Sequence, residues 1–229
     1  MTVGERMTTK RSSWRSGCRL AARFAVLVLA PLAVAAPSRA IEPVELRAYE
    51  NGGEYHISTE MVLHAPAASV RAVLTDYVHA YRLDPSITES AILPSLEDDV
   101  VRLRVRLEEC AAFYCVDLVS VTDIKELPSG DLEVLVIPEL STFRSGAAEW
   151  RIQSWQGETR VHYELRVEPD FFIPPWIGPT IMIRKLKNEI LTILRRLECM
   201  AQIQAARGQD LRARNRDLGL PQDCLDEGR

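Results

Sequence analysis

Apolar and polar residues alternate along most of the chain, and near its end the alternation gives way to a helical period. Ile57, Thr59, Met61, Leu63 and Ala65 take every second position of a first strand that ends at Pro66. Val101, Leu103, Val105 and Leu107 alternate with Arg102, Arg104, Arg106 and Glu108; Val161, Tyr163, Leu165 and Val167 alternate with Arg160, His162, Glu164 and Arg166. Each of these segments therefore presents one apolar and one polar face. Less regular strands are predicted over residues 89–94, 113–124 and 132–137, and around Ala148, Trp150 and Ile152, with turns at Pro128-Ser129-Gly130 and Gln156-Gly157.

Two helical blocks interrupt the strands. After Pro66, Val70, Val73, Leu74, Tyr77 and Val78 fall on one side of a helix, and residues 80–85 form a second short helix or turn. Past the proline-broken segment 169–179, Met182, Leu186, Ile190, Ile193, Leu197 and Met200 recur at spacings of three and four. They form the apolar stripe of a long helix, and Arg184, Lys185, Lys187, Arg195 and Arg196 form its solvated face. Strands joined by short turns pair antiparallel. The fold class is thus α+β: a curved, seven-stranded antiparallel sheet gripping a long C-terminal helix, with two short helices between strands 1 and 2. A cavity between sheet and helix is the first place to look for function.

The ends of the chain read differently. Lys10, Arg11, Arg15, Arg19 and Arg23 precede an apolar run over residues 24–36, and Ser38-Arg39-Ala40 places small residues at the minus-three and minus-one positions of a cleavage site. Residues 1–40 are expected to be a secretory signal peptide cleaved near Ala40, because the run falls short of the roughly 20 residues that span a bilayer. Residues 41–53 read as a lead-in ending in the turn signal Asn51-Gly52-Gly53, residues 54–204 as the folded domain, and residues 205–229 as a charged tail.

Removing the leader changes the charge. Residues 1–40 hold seven of the 28 basic residues but one of the 32 acidic ones, which leaves 21 against 31 and a formal charge of about −10. Nucleic acid is therefore not an expected partner. Cys110, Cys115, Cys199 and Cys224 remain, an even number that favours disulfides in an exported, periplasmic chain. Cys110 with Cys115 would staple a hairpin, and Cys199 with Cys224 would fold the tail back.

The chain contains no H-E-x-x-H, G-x-S-x-G, P-loop or G-x-G-x-x-G motif, which leaves nucleophilic hydrolysis and nucleotide binding without support. His56, His64, His79 and His162 have no second ligand at helical spacing, so no metal and no cofactor is expected. Asp76, Asp84, Arg144 and Glu149 are the candidates for acid/base chemistry, against the plainer reading of ordinary ion pairs. Aromatic residues gather where a pocket mouth would be, and residues 171–177 are too apolar for an ordinary surface loop. That segment must pack inward, line a mouth, or touch a membrane or partner.

Three stretches carry a resemblance: Leu74-Thr75-Asp76-Tyr77 with Ala80-Tyr81, Pro85 and Ser90 downstream; Phe143-Arg144-Ser145-Gly146 leading to Glu149-Trp150-Arg151-Ile152; and Pro169-Asp170-Phe171-Phe172-Ile173-Pro174-Pro175 before the helix. With the order of elements, they resemble the helix-grip superfamily of START-like lipid-binding domains, polyketide cyclases and coenzyme Q-binding proteins. The resemblance implies an apolar ligand held between sheet and C-terminal helix; the expected protein is a monomer, not an enzyme, that binds or carries a lipid or isoprenoid quinone and contacts membranes transiently. Tyr77, Tyr81, Phe143, Trp150, Phe171, Phe172, Trp176, Ile177 and Ile181 are the expected cavity or gate residues. A cyclase or dehydratase on an aromatic or polyketide-like substrate, and a non-ligand interaction module of the cell envelope, are the alternatives.

Overall fold

The computed structural model describes residues 45–95, 97–111, 114–174, 177–210 and Cys224. The expected leader, Trp176 and the tail beyond residue 210, Cys224 excepted, lie outside the described residues. The described strands are β1 (Glu45–Asn51), β2 (Glu54–Leu63), β3 (Ile87–Leu93), β4 (Val100–Ala111), β5 (Tyr114–Glu126), β6 (Leu132–Val136), β7 (Phe143–Trp155) and β8 (Glu158–Pro169). They form one curved, open antiparallel sheet in the order β1-β2-β8-β7-β6-β5-β4-β3. Helix α1 (Ala67–Leu74) and a 3-10 helix (Tyr77–Arg82) connect β2 to β3, and α2 (Gly178–Asp210) follows β8.

One strand more than the expected seven is present, because β1 lies in the segment read as a lead-in. Asn51-Gly52-Gly53 is a hairpin turn, with Gly52 and Gly53 at φ 64° and 96°, and β1 pairs with β2 from Glu45 opposite Glu60 to Asn51 opposite Glu54. Of its apolar residues only Leu46 and Ala48 reach the core, too few to produce a readable alternation.

The packed core lies at one end of the molecule. Ile57, Met61 and Leu63 of β2, Val161 of β8 and Val70 and Val73 of α1 meet Ile190, Leu194, Leu197 and Ala201 of α2. The helix stripe is thus rotated slightly from the expected one: Leu194 is fully buried, and Ile193 is half-buried. Polar contacts reinforce this end. The buried Glu198 carboxylate accepts a hydrogen bond from the His64 backbone N–H at 2.6 Å and meets His64 Nδ1 at 2.7 Å, tying the end of β2 to α2. Arg71 of α1 donates to the carbonyls of Ser129, Gly130 and Ile152 at 3.1, 3.1 and 2.8 Å, clamping the β5–β6 turn and β7. Gly130 suits this turn because its φ of 85° is a conformation that side chains rarely adopt, and a Cβ there would also displace the Arg71 guanidinium.

Two disulfides close the fold. Cys110 and Cys115 face each other directly across β4 and β5, and Cys199 of α2 is joined to Cys224. Among the described residues no helix is long and apolar enough to cross a membrane.

Candidate functional site

The buried core residues of α2 run from Ile190 to Ala201, and the preceding turns of the helix face β4–β8 across open space. That space is a cavity of ≈ 410 Å³. The inward phases of the alternating strands line it: Leu103, Val105 and Leu107 of β4, Val116 and Leu118 of β5, Val134 and Val136 of β6, Ala148 and Trp150 of β7, and Tyr163, Leu165 and Val167 of β8. Met182 and Leu186 of α2 face them. Gly146 lets β7 pass close to Val136 of β6, because a Cβ there would lie 2.5 Å from a methyl carbon of that side chain.

Described residues between β8 and α2 contribute to the lining. Phe171, Ile173, Pro174 and Ile177 line the cavity, and Phe171 packs edge-to-face on Phe143 with centroids 6.1 Å apart. Tyr114 on β5 donates its hydroxyl to the Phe172 carbonyl at 3.1 Å, so the disulfide-bonded hairpin is linked to this stretch.

A charged group stands at the other wall. Lys185 Nζ contacts Glu109 and lies 2.5 Å from Glu189 Oε1, one turn on along α2. Asp84, in the 3-10 helix to β3 connection, joins them around the cavity and accepts two hydrogen bonds from Ser86. Asp84, Glu109, Cys110, Lys185 and Glu189 also line a second, more open groove of ≈ 420 Å³, bordered by Arg184, Asn188 and Thr192. The ionisable group therefore stands between the apolar cavity and the open groove.

Burial and the neighbouring charge of Glu109 push the Glu189 carboxyl up to about 7, against the pull of Lys185, with Asp84 adding to the rise. Burial works against the Lys185 ammonium, but its hydrogen bonds to Glu109 and Glu189 outweigh this and hold it above the ordinary lysine value. The Tyr163 hydroxyl is raised by burial and by Asp84. It makes no hydrogen bond among the described residues, while its ring packs at 4.2 Å on Trp150.

Comparison with solved structures decides the architecture. A protein of Thermus thermophilus matches with TM-score 0.54 at 16% identity, over 65% of this chain and 97% of that one. A START superfamily protein from Mycobacterium smegmatis matches with TM-score 0.51 at 20% identity, over 65% and 97%. Human STARD10 matches with TM-score 0.50 at 10% identity, over 73% and 76%. This is a START-like, helix-grip fold. No protein-family model and no curated protein matches the chain.

The START-like cavity gathers Phe143, Trp150, Phe171 and Ile177 from the expected site residues. Four others stand elsewhere. Tyr77 is buried in a satellite cluster with Leu103 and Ile124 and donates its hydroxyl to Glu126 at 2.9 Å, so the 3-10 helix turns it away from the cavity. Burial and the bond to Glu126 raise its pKa. Tyr81 and Phe172 are exposed, the latter by 70%, and Ile181 borders the outer groove. Trp176 lies outside the described residues.

Of the acid/base candidates only Asp84 reaches the START-like cavity. Asp76 pairs with His79 at 2.7 Å, Arg144 with Glu168 and Asp170 at 2.7 and 2.8 Å, and Glu149 with Arg151 at 2.5 Å. Glu109, Lys185, Glu189 and Tyr163 are functional candidates that the motif search passed over, and Lys185 leaves the solvated face for the cavity wall. Their signal is phase. Glu109 continues the inward positions 103, 105 and 107 of β4, and Lys185 and Glu189 follow Met182 at spacings of three and four. Among the described residues no trio of His, Cys, Asp or Glu is placed to hold a metal ion.

Proposed function

We propose that this is an exported START-like protein that binds and carries a hydrophobic small molecule of the lipid or isoprenoid quinone class. The apolar ≈ 410 Å³ cavity carries the reading, since its size falls within the range of small-molecule sites and its walls are aliphatic and aromatic. Burying roughly 300 Å² of apolar ligand surface at about 25 cal/mol per Å² supplies about 7.5 kcal/mol before ordering costs, so burial is the main driving force for uptake. Phe171, Ile173, Pro174 and Ile177, which line the cavity within the stretch 171–179, are the proposed gate residues. Exposed Phe172, beside Phe171, and Ile181 suit a transient contact with a membrane during loading. Two disulfides and the leader-like residues 1–40 favour an oxidising, periplasmic setting.

Convergence of Asp84, Glu109, Lys185 and Glu189 on the cavity favours a second reading, acid/base catalysis by a cyclase or dehydratase. Carriage ranks first because Lys185 engages both glutamates, and none of the four histidines lines the cavity.

The test is titration of the purified protein with the neutral apolar fluorophore N-phenyl-1-naphthylamine. Saturable enhancement at near one-to-one stoichiometry, reversed by long-chain alcohols or a short-tailed ubiquinone, is expected. Absence of saturable binding would overturn the carrier reading.

A further inference from the structure

The lining of the cavity is not charge-balanced. Three carboxylates, Asp84, Glu109 and Glu189, face it together with one ammonium, that of Lys185, which already serves two of them. Asp84 is engaged by the Ser86 backbone N–H at 2.9 Å and hydroxyl at 2.6 Å, neither of which carries charge. Arg184 borders only the outer groove.

A second observation points to a missing partner. Tyr163 is 92% removed from solvent, taking its 8% exposure, lines the cavity, and has a hydroxyl with no hydrogen bond among the described residues. The hydroxyl oxygen is not among the fully enclosed unpaired atoms of the described residues, so it opens onto the cavity and is free to pair with whatever fills it. The same ionisable side chains border the open groove outside, so a molecule seated in the cavity has its apolar body inside and its head at this charged boundary.

We infer that the ligand is an amphiphile whose head is a protonated amine, held by Glu109, Glu189 and Asp84 and donating to the Tyr163 hydroxyl oxygen, with its apolar body against Trp150 and Leu165. This rests on the carrier reading and names its ligand class. An anionic head would meet three carboxylates at the same place, and a neutral head would leave the excess negative charge uncompensated. The raised proton affinity of Glu189 agrees with a site short of one positive charge. A charge-assisted hydrogen bond in a partly dry site separates such heads by roughly tenfold to a hundredfold in affinity.

Dodecylamine, dodecanol and dodecanoate share one tail and differ only in the head. Each is used below its micelle concentration at pH 7 to displace N-phenyl-1-naphthylamine from the wild-type protein. The amine is expected to displace the probe at a concentration at least roughly tenfold lower than the alcohol, and the carboxylate to be weakest. In Glu109→Gln with Glu189→Gln, the amine-to-alcohol ratio should fall below about threefold. The head-group order is read on the wild-type protein, so it stands even if that variant does not fold; Asp84→Asn then tests the ratio.

A carboxylate that binds as tightly as the amine, or a ratio untouched by the substitutions, would overturn the inference while leaving carriage intact. Failure of the probe and of all three chains to bind would remove the carrier reading, and this inference with it.

Discussion

Replacing Glu189 by Gln should change how stability depends on pH. Burial and Glu109 raise the carboxyl from 4.5 to about 7. The folded protein therefore holds a proton that the unfolded chain has released over the window between these values. A raised acid contributes stability at low pH and loses it as pH climbs through the folded value, and no further change follows above about 8. At about 1.4 kcal/mol per pKa unit the shift corresponds to about 3 kcal/mol, and the 28% exposure of the side chain reduces this to about 2 kcal/mol. Lys185, held above its ordinary value, stays charged throughout the window. Urea unfolding followed by circular dichroism at half-unit steps from pH 4.5 to 8.5 measures the difference between wild type and Glu189→Gln. Wild type should lose about 2 kcal/mol relative to the variant across that range. A difference that stays constant, or that grows in favour of wild type, would refute the argument that Glu189 titrates in a buried, acid-rich wall.

Three further outcomes follow from the packing. Ala148→Phe places a ring inside the cavity, so probe affinity should fall at least roughly tenfold while the circular dichroism spectrum is preserved. Arg71→Ala removes one donor group from three backbone carbonyls and should cost about 2–3 kcal/mol in urea unfolding, with Arg71→Lys recovering less than half. Leu194→Ala, at a fully buried position of α2, should cost about 3 kcal/mol by the same measurement.

Period-two alternation made β2, β4 and β8 legible, because each has one face on apolar material and the other on solvent. The edge strand β1 was not, since an edge needs few apolar residues and its described residues send only Leu46 and Ala48 to the core. In the site, Trp150, Phe143, Phe171 and Ile177 announced themselves by apolar character in strands or in a loop too apolar for solvent. Tyr77 and Tyr81 are equally aromatic, but the 3-10 helix aims one at Glu126 and the other outward, a direction set by tertiary packing. Lys185 and Glu189 were hidden by the opposite habit, in which charged helix residues are assigned to solvent. Their spacing from Met182 shows that they lie on the buried side, and the unfilled volume beneath α2 lets them remain charged or share a proton there.

The central claim is that the cavity exists to hold a hydrophobic molecule. Native mass spectrometry of the protein purified from an oxidising compartment, paired with organic extraction and mass analysis of the extract, tests it most directly. The account predicts a co-purifying apolar molecule at near one-to-one stoichiometry, lost in Ala148→Phe. A protein that emerges empty and fails to take up any lipid, amine or quinone offered to it would contradict the account.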